Sequence, residues 1–213
     1  MIFLFTYFVK FTGWLAYLIV FKTKVIYQNR NIQGRRIKGK SIIASNHTAV
    51  SDYILYLFVF FWRTLRYQMA EVLFKNKLLG FFLKLMGGIY VNRDNHDFSF
   101  IDKCQKILAK GGVIGAFPEG RIPKKEETPL LEFKPSISYL SLLSNTKIIP
   151  CYTNGRYFTK DRAYVVIGEP INPLDYVDEK LSEKENIDII NSVLKKHIEE
   201  LREIYERNKK EKK

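Results

Sequence analysis

Short apolar runs that alternate with helical periods restrict this chain more than any other feature. From Ser41 onward the stretches "SIIAS", "RYQMA", "GIYVNR", "GVIGAFPEG", "KIIPCYTN" and "AYVVIGEPI" are each bounded by turn residues and read as strands. Between them "SDYILYLFVFFWRTL", "NKLLGFFLKLMG", "DFSFIDKCQKILAKG" and "PSISYLSLLSNT" read as helices. A long final helix spans about 182–207. It opens with Ser182 and Glu185 at capping-box spacing, and Ile187, Ile190, Leu194, Ile198, Leu201 and Tyr205 keep a helical period along it. This alternation predicts an α/β fold: a largely parallel sheet flanked by helices. A length of 213 residues allows one such domain and a small appendage.

The appendage is the N-terminus. "MIFLFTYFVKFTGWLAYLIVF", residues 1–21, carries a single charge, Lys10, and approaches the ~20 residues needed to cross a bilayer core. It lacks the basic start and small-residue cleavage site of a signal peptide. The segment is read as membrane-associated and helical. A span and a hairpin of two short helices in one leaflet both remain open. Lys10 and Gly13 in the middle favour the hairpin, where Lys10 reaches the headgroups. A buried core helix is the third reading. On the first two, the segment contributes location rather than chemistry.

Charge sharpens the picture. The net charge is +13, yet no Asp or Glu precedes Asp52, and seven basic residues lie between Lys22 and Lys40. A one-signed connector at 22–40 seeks an anionic surface, and beside an apolar N-terminus that surface is acidic lipid. Basic residues directly after the apolar segment put the rest of the chain on the cytoplasmic face. Nothing resembles a recognition helix, so nucleic acid is not an expected partner. Cys104 and Cys151 read as reduced thiols, and with His47, His96 and His197 they form no zinc pattern. No metal site is expected.

The stretch "NHTAVSD" places His47 five residues before Asp52, directly after the first strand. An ordinary helix cap with a loop histidine explains it. So does a base whose second ring nitrogen is held by a carboxylate. No GxSxG nucleophile motif accompanies the pair, so on the second reading the substrate brings its own hydroxyl. Arg93 and Glu119 also follow strands, at the end where ligands sit in such folds. Arg93 and Arg121 carry planar forks that match phosphate oxygens. Backbone N–H groups of the "PEG" turn could face an oxyanion.

Together "NHTAVSD", "GGIYVNRD", "FPEGRI" and "IIPCY" come in the order and rough spacing of the glycerolipid acyltransferase family, of the 1-acyl-glycerol-3-phosphate acyltransferase type. The resemblance covers about Ser41 to Pro173. It implies that residues 22–213 form an acyltransferase domain with His47 as general base and Asp52 as its orienting carboxylate. It implies an acceptor and phosphate side made by Arg93, Glu119, Gly120 and Arg121, and an acyl-donor side at Pro150. The implied reaction moves a fatty acyl group from acyl-CoA or an acylated carrier protein, as co-substrate, to the free hydroxyl of lysophosphatidate in phospholipid synthesis. No cofactor is implied. The implied partners are the membrane phospholipid surface, the lysophospholipid acceptor and the thioester donor. Two departures stand out: Ile122 where many members have arginine after "FPEG-x", and Ser136 where many have glycine. Another lysophospholipid or glycerol 3-phosphate as acceptor is the alternative, as is a non-catalytic, basic, peripheral lipid-binding protein.

Overall fold

The strands assemble into a seven-stranded sheet. The computed structural model describes residues 1–92, 99–124, 126–128 and 130–211. The strands are β1 (Lys24–Tyr27), β2 (Ser41–Ser45), β3 (Leu65–Ala70), β4 (Ile89–Val91), β5 (Val113–Ala116), β6 (Ile148–Thr153) and β7 (Tyr164–Ile167), in the spatial order β1-β7-β6-β2-β5-β3-β4. All neighbours are parallel except β6 and β7. Every residue of β2 and β5 is buried, as expected of central strands covered on both faces.

The helices are α1 (Ile2–Phe21), α2 (Asp52–Val59), α3 (Val72–Lys75), α4 (Lys77–Leu85), α5 (Ser99–Ala109), α6 (Ser136–Leu143) and α7 (Glu183–Lys210). One core joins α1 and α2 to one face of the sheet through Tyr17, Phe21, Leu55, Phe58 and Tyr67. A second joins α5, α6 and α7 to the other face through Cys104, Leu108, Leu140, Ile190 and Leu194. α7 begins with the expected capping box, Ser182 N–H donating to Glu185 Oε2 at 2.8 Å and Glu185 N–H to Ser182 Oγ at 3.3 Å. Ile187 departs from its buried stripe and lines a cavity instead.

Two expectations for the N-terminal region are corrected. Residues 2–21 form one continuous helix, not a hairpin. Its inward face is Thr6, Lys10, Tyr17 and Phe21, with Gly13 on the same stripe. A Cβ on Gly13 would lie 3.3 Å from Phe58 Cζ, so the glycine admits a close ring rather than a bend. Lys10 does not snorkel outward. Its side chain is fully buried, and Nζ donates to the carbonyls of Phe61 and Arg63 at 2.6 and 2.7 Å. That face belongs to the core, while Phe3, Leu4, Phe8, Phe11, Leu15 and Ile19 stay exposed on the other. Residues 22–40 are more than a connector. They contain β1, an edge strand that extends the sheet on β7 in register from Lys24↔Tyr164 to Tyr27↔Ile167.

Candidate active site

β2 and β5 lie side by side, with Ala44 opposite Ala116, so the loops after them leave the same edge of the sheet. The β2 loop carries His47, and the β5 loop carries Phe117, Glu119 and Gly120. Asn46 ties the first loop to β6: its amide donates to Thr153 O at 2.9 Å and its oxygen accepts from Thr153 N–H at 2.8 Å. His47 stacks flat on Phe117, with centroids 4.1 Å apart and planes 5° apart.

Asp52 is the first residue of α2 and is fully buried. Its carboxylate reaches back to His47 Nδ1 at 2.8 Å. It also accepts from the N–H groups of Thr48 and Ala49 at 2.6 and 3.0 Å, and from Thr48 Oγ1 at 2.8 Å. Tyr157, on the loop after β6, donates its hydroxyl to Asp52 Oδ1 at 2.7 Å and shares a 2.9 Å hydrogen bond with Thr153. An anion removed from water needs such a set of donors. Asp52 therefore holds His47 as the Nδ1–H tautomer and leaves the Nε2 lone pair available.

Glu119 is tied into the protein through both carboxylate oxygens. It is buried behind the loop, its Oε1 accepting from His47 N–H at 2.7 Å and its Oε2 from Leu131 N–H at 2.8 Å. Burial raises its carboxyl above the usual carboxylate range, and the two amides pull it back. Glu119 clamps the base loop to the segment around Leu131. The neighbouring turn is not free to face an oxyanion through Gly120, whose N–H donates to Phe117 O at 2.9 Å. Gly120 has φ +73°, a left-handed backbone, and a Cβ there would meet Lys134 Cε at 2.9 Å.

His47 lines a cavity of about 910 Å³, within the range of ligand pockets. Its far wall is apolar, with Val72, Leu73, Leu79, Phe82 and Leu83 from α3 and α4. Its lining also includes Gly120, Arg121 and Lys134, with Glu183 and Asp188 from the start of α7. Arg121 is half exposed and forms a two-pronged ion pair with Glu127, both contacts at 2.6 Å. That pair and the Lys124 N–H hold the Glu127 carboxyl down to about 2. Arg93 lies outside the described residues, as does His96.

Pro150 does not reach the cavity. It lies within β6 beside Ala44, with its ring against Gly168. Its missing N–H falls where the β6–β7 ladder bulges, between the Ile148↔Ile171 bridge and the Cys151↔Ile167 pair. The structure thus places Pro150 in the sheet, outside the residues that line this cavity. Tyr157 carries no motif signal of its own, whereas Lys134 lies in the "FKPS" stretch that also holds Ser136. Tyr157 is 105 positions from Asp52, and only the fold joins them.

A buried carboxylate against a histidine ring, on the wall of a cavity at the C-terminal edge of a mostly parallel sheet, is the arrangement of an α/β fold with its ligand site at the strand ends. The chain belongs to the acyltransferase family, whose model matches residues 11–154. It is 28% identical over 165 residues to the 1-acyl-sn-glycerol-3-phosphate acyltransferase of Bacillus subtilis (strain 168), covering 75% of this chain and 80% of that protein. The crystal structure of the 1-acyl-sn-glycerophosphate (LPA) acyltransferase PlsC from Thermotoga maritima has the same fold, with a TM-score of 0.59 at 22% identity over 85% of this chain and 73% of that one.

Proposed function

We propose that this protein transfers a fatty acyl group from a thioester to the free hydroxyl of lysophosphatidate, yielding phosphatidate for phospholipid synthesis. The observation that carries the reading is the His47–Asp52 contact at 2.8 Å on the wall of a cavity with an apolar far end. His47 Nε2 takes the proton of the acceptor hydroxyl. The oxygen attacks the thioester carbonyl, and the tetrahedral intermediate collapses with loss of the thiolate. The imidazolium returns the proton to the sulfur, and Asp52 stabilises it meanwhile. No covalent enzyme intermediate is required.

Lys134, which lines the same cavity as His47, supplies positive charge for the acceptor's phosphate, and Arg121 joins it on exchanging Glu127 for that phosphate. The apolar wall of α3 and α4 suits an acyl chain. The name of the Bacillus subtilis relative favours lysophosphatidate over other acceptors.

α1 is read as lying in one leaflet. Its inward face is engaged with the domain along its length, so it cannot cross a bilayer as an isolated helix, and its other face is apolar. Leu78 and Phe81 of α4 are exposed on a helix that adjoins α1, where Phe5 meets Phe82 edge-on at 5.6 Å. The two helices together suit one lipid surface on the cytoplasmic face.

The test is mass spectrometry of products from purified protein given acyl-CoA or acylated carrier protein with a panel of lysolipids and glycerol 3-phosphate. Phosphatidate from lysophosphatidate is expected. Product formed only from glycerol 3-phosphate or another lysolipid would reassign the acceptor. No product with any pair would leave a lipid-binding protein.

A further inference from the structure

A second cavity, of about 840 Å³, lies between α1, the segment joining β1 to β2, and the turn after α2. β1 runs opposite to β2 and β6, because β7 pairs parallel with β1 and antiparallel with β6. The residues after Tyr27 therefore lie at the edge of the sheet where β2 and β6 begin, away from His47. The cavity holds Arg30, Arg35, Arg36, Lys38 and Lys147, and no carboxylate is among its lining residues. A cluster of that sign carries repulsion that an anion relieves.

The basic residues of this region divide into two groups. Arg35 caps the end of α2, donating to the carbonyls of Val59 and Phe58 at 2.7 and 3.0 Å, and Lys40 donates to Ser144 O at 2.7 Å. Those cations serve the fold. Arg30 and Arg36 instead lie over the rings of Tyr27 and Trp62, each 5.6 Å from the centroid. Lys38 and Lys147 make no ion pair among the described residues. Phe11 and Trp14 of α1 complete the wall, and Phe11 and Trp62 are 68% and 58% exposed. A cationic mouth rimmed by tryptophans and continuous with an apolar helix face has the chemistry of a membrane interface at headgroup depth.

We propose that this cavity is a binding site for the phosphate of an anionic phospholipid headgroup, held by Arg30, Arg36, Lys38 and Lys147 and separate from the catalytic cavity. Such a lipid would fix the rotation of the domain about α1 and so the height of the catalytic opening above the leaflet. The proposal rests on the reading of α1 as a one-leaflet helix.

The experiment compares the full chain with the Arg30→Ala/Arg36→Ala/Lys147→Ala variant. The control is Lys103→Ala/Lys106→Ala/Lys110→Ala, which removes equal charge at α5, on the opposite face of the sheet. Flotation is measured with phosphatidylcholine vesicles and with vesicles containing phosphatidylglycerol, after matching melting curves. The parent should prefer the anionic vesicles. The cavity variant should lose on the order of 100-fold of that preference, at the strength typical of interfacial cations, and keep its binding to neutral vesicles. The control should stay within a few-fold of the parent. Equal losses in both variants would mean diffuse charge attraction and overturn the site. No binding of the parent to either vesicle would instead sink the α1 reading. A third arm titrates inorganic phosphate at constant ionic strength. Saturable millimolar binding that the cavity variant alone loses, with vesicle preference unchanged, would make this a soluble-phosphate site and overturn the lipid assignment.

Discussion

At the scale of single residues, the Asp52 carboxylate is the group that meets the His47 ring nitrogen, while Phe117 stacks on the ring and Glu119 holds the loop. His47→Ala should abolish transfer with folding retained. Asp52→Asn should lower kcat by a factor on the order of 10³ to 10⁴, since an amide no longer enforces the productive tautomer. Tyr157→Phe removes a donor to Asp52 and nothing that touches substrate, so kcat should fall about 10-fold with KM for the acceptor nearly constant. A raised KM with unchanged kcat would place Tyr157 in substrate binding. Glu119→Gln puts an amide N–H against the N–H of either His47 or Leu131, which should cost about 1–3 kcal/mol of stability as well as activity. An unshifted melting curve with a raised acceptor KM would instead support acceptor binding by Glu119. The His47–Asp52 pair was legible in the sequence because it is local, five positions apart across the turn from β2 into α2. Tyr157 and the clamp by Glu119 were not, since each depends on segments that meet only across the sheet edge. A motif marks Glu119 without revealing that both its oxygens face backbone amides.

At the scale of elements, α1 shows how one helix serves two environments. Tyr17 stacks on Phe58 at 4.4 Å and Phe21 on Tyr17 at 5.3 Å, and Phe21 O accepts from Ala163 N–H at 2.9 Å next to β7. Burying two such aromatic side chains contributes about 1.5–3 kcal/mol each, a large share of a net stability near 5–15 kcal/mol. Deleting residues 1–21 should therefore leave a poorly folded chain, inactive on soluble and vesicle acceptors alike. A folded, active truncation would show α1 to be only an anchor. Burial lowers the Lys10 ammonium to about 7, against 10.5 in an exposed lysine. Between those values the unfolded chain binds the extra proton, so stability should rise with pH, by at most ~1.4 kcal/mol per unit. Below pH 7 the full cost of burying the charge is present. Lys10→Met should flatten this rise in denaturant titrations from pH 6.5 to 9.5, and a slope unchanged by the substitution would assign it elsewhere. Apolar character along residues 1–21 was legible, but its two-sidedness was not, because nearly every position is apolar and no period stands out. β1 was hidden for the converse reason: "KVIY" sits in a run of cations, and only pairing to β7 makes it a strand. The central strands and α7 were plain, since burial on both faces and a capping box leave local signatures.

At the scale of the whole molecule, the apolar wall of the catalytic cavity and the apolar surface of the protein belong to the same helix. α4 turns Leu79 and Phe82 toward the cavity, while Leu78 and Phe81 are 80% and 62% exposed. On the proposed function, a lysolipid whose chain rests in a leaflet slides along α4 into the cavity without passing through water, which avoids a cost of ~0.8 kcal/mol for each methylene exposed. On the same reading the phosphate stays at headgroup depth and meets Arg121 and Lys134, which line the cavity together with His47. This arrangement separates entry from chemistry, and the separation can be measured. Leu78→Glu combined with Phe81→Glu leaves the cavity wall and the His47–Asp52 contact intact but places two anions on the surface meant for lipid. Transfer to a short-chain, monomeric lysophosphatidate in solution should remain within about twofold of the parent. Transfer to a long-chain acceptor embedded in vesicles should fall at least tenfold, with the loss in kcat/KM at limiting surface concentration. Equal rates on both acceptors would mean that substrate enters from water, and α4 would then be a plain cavity wall.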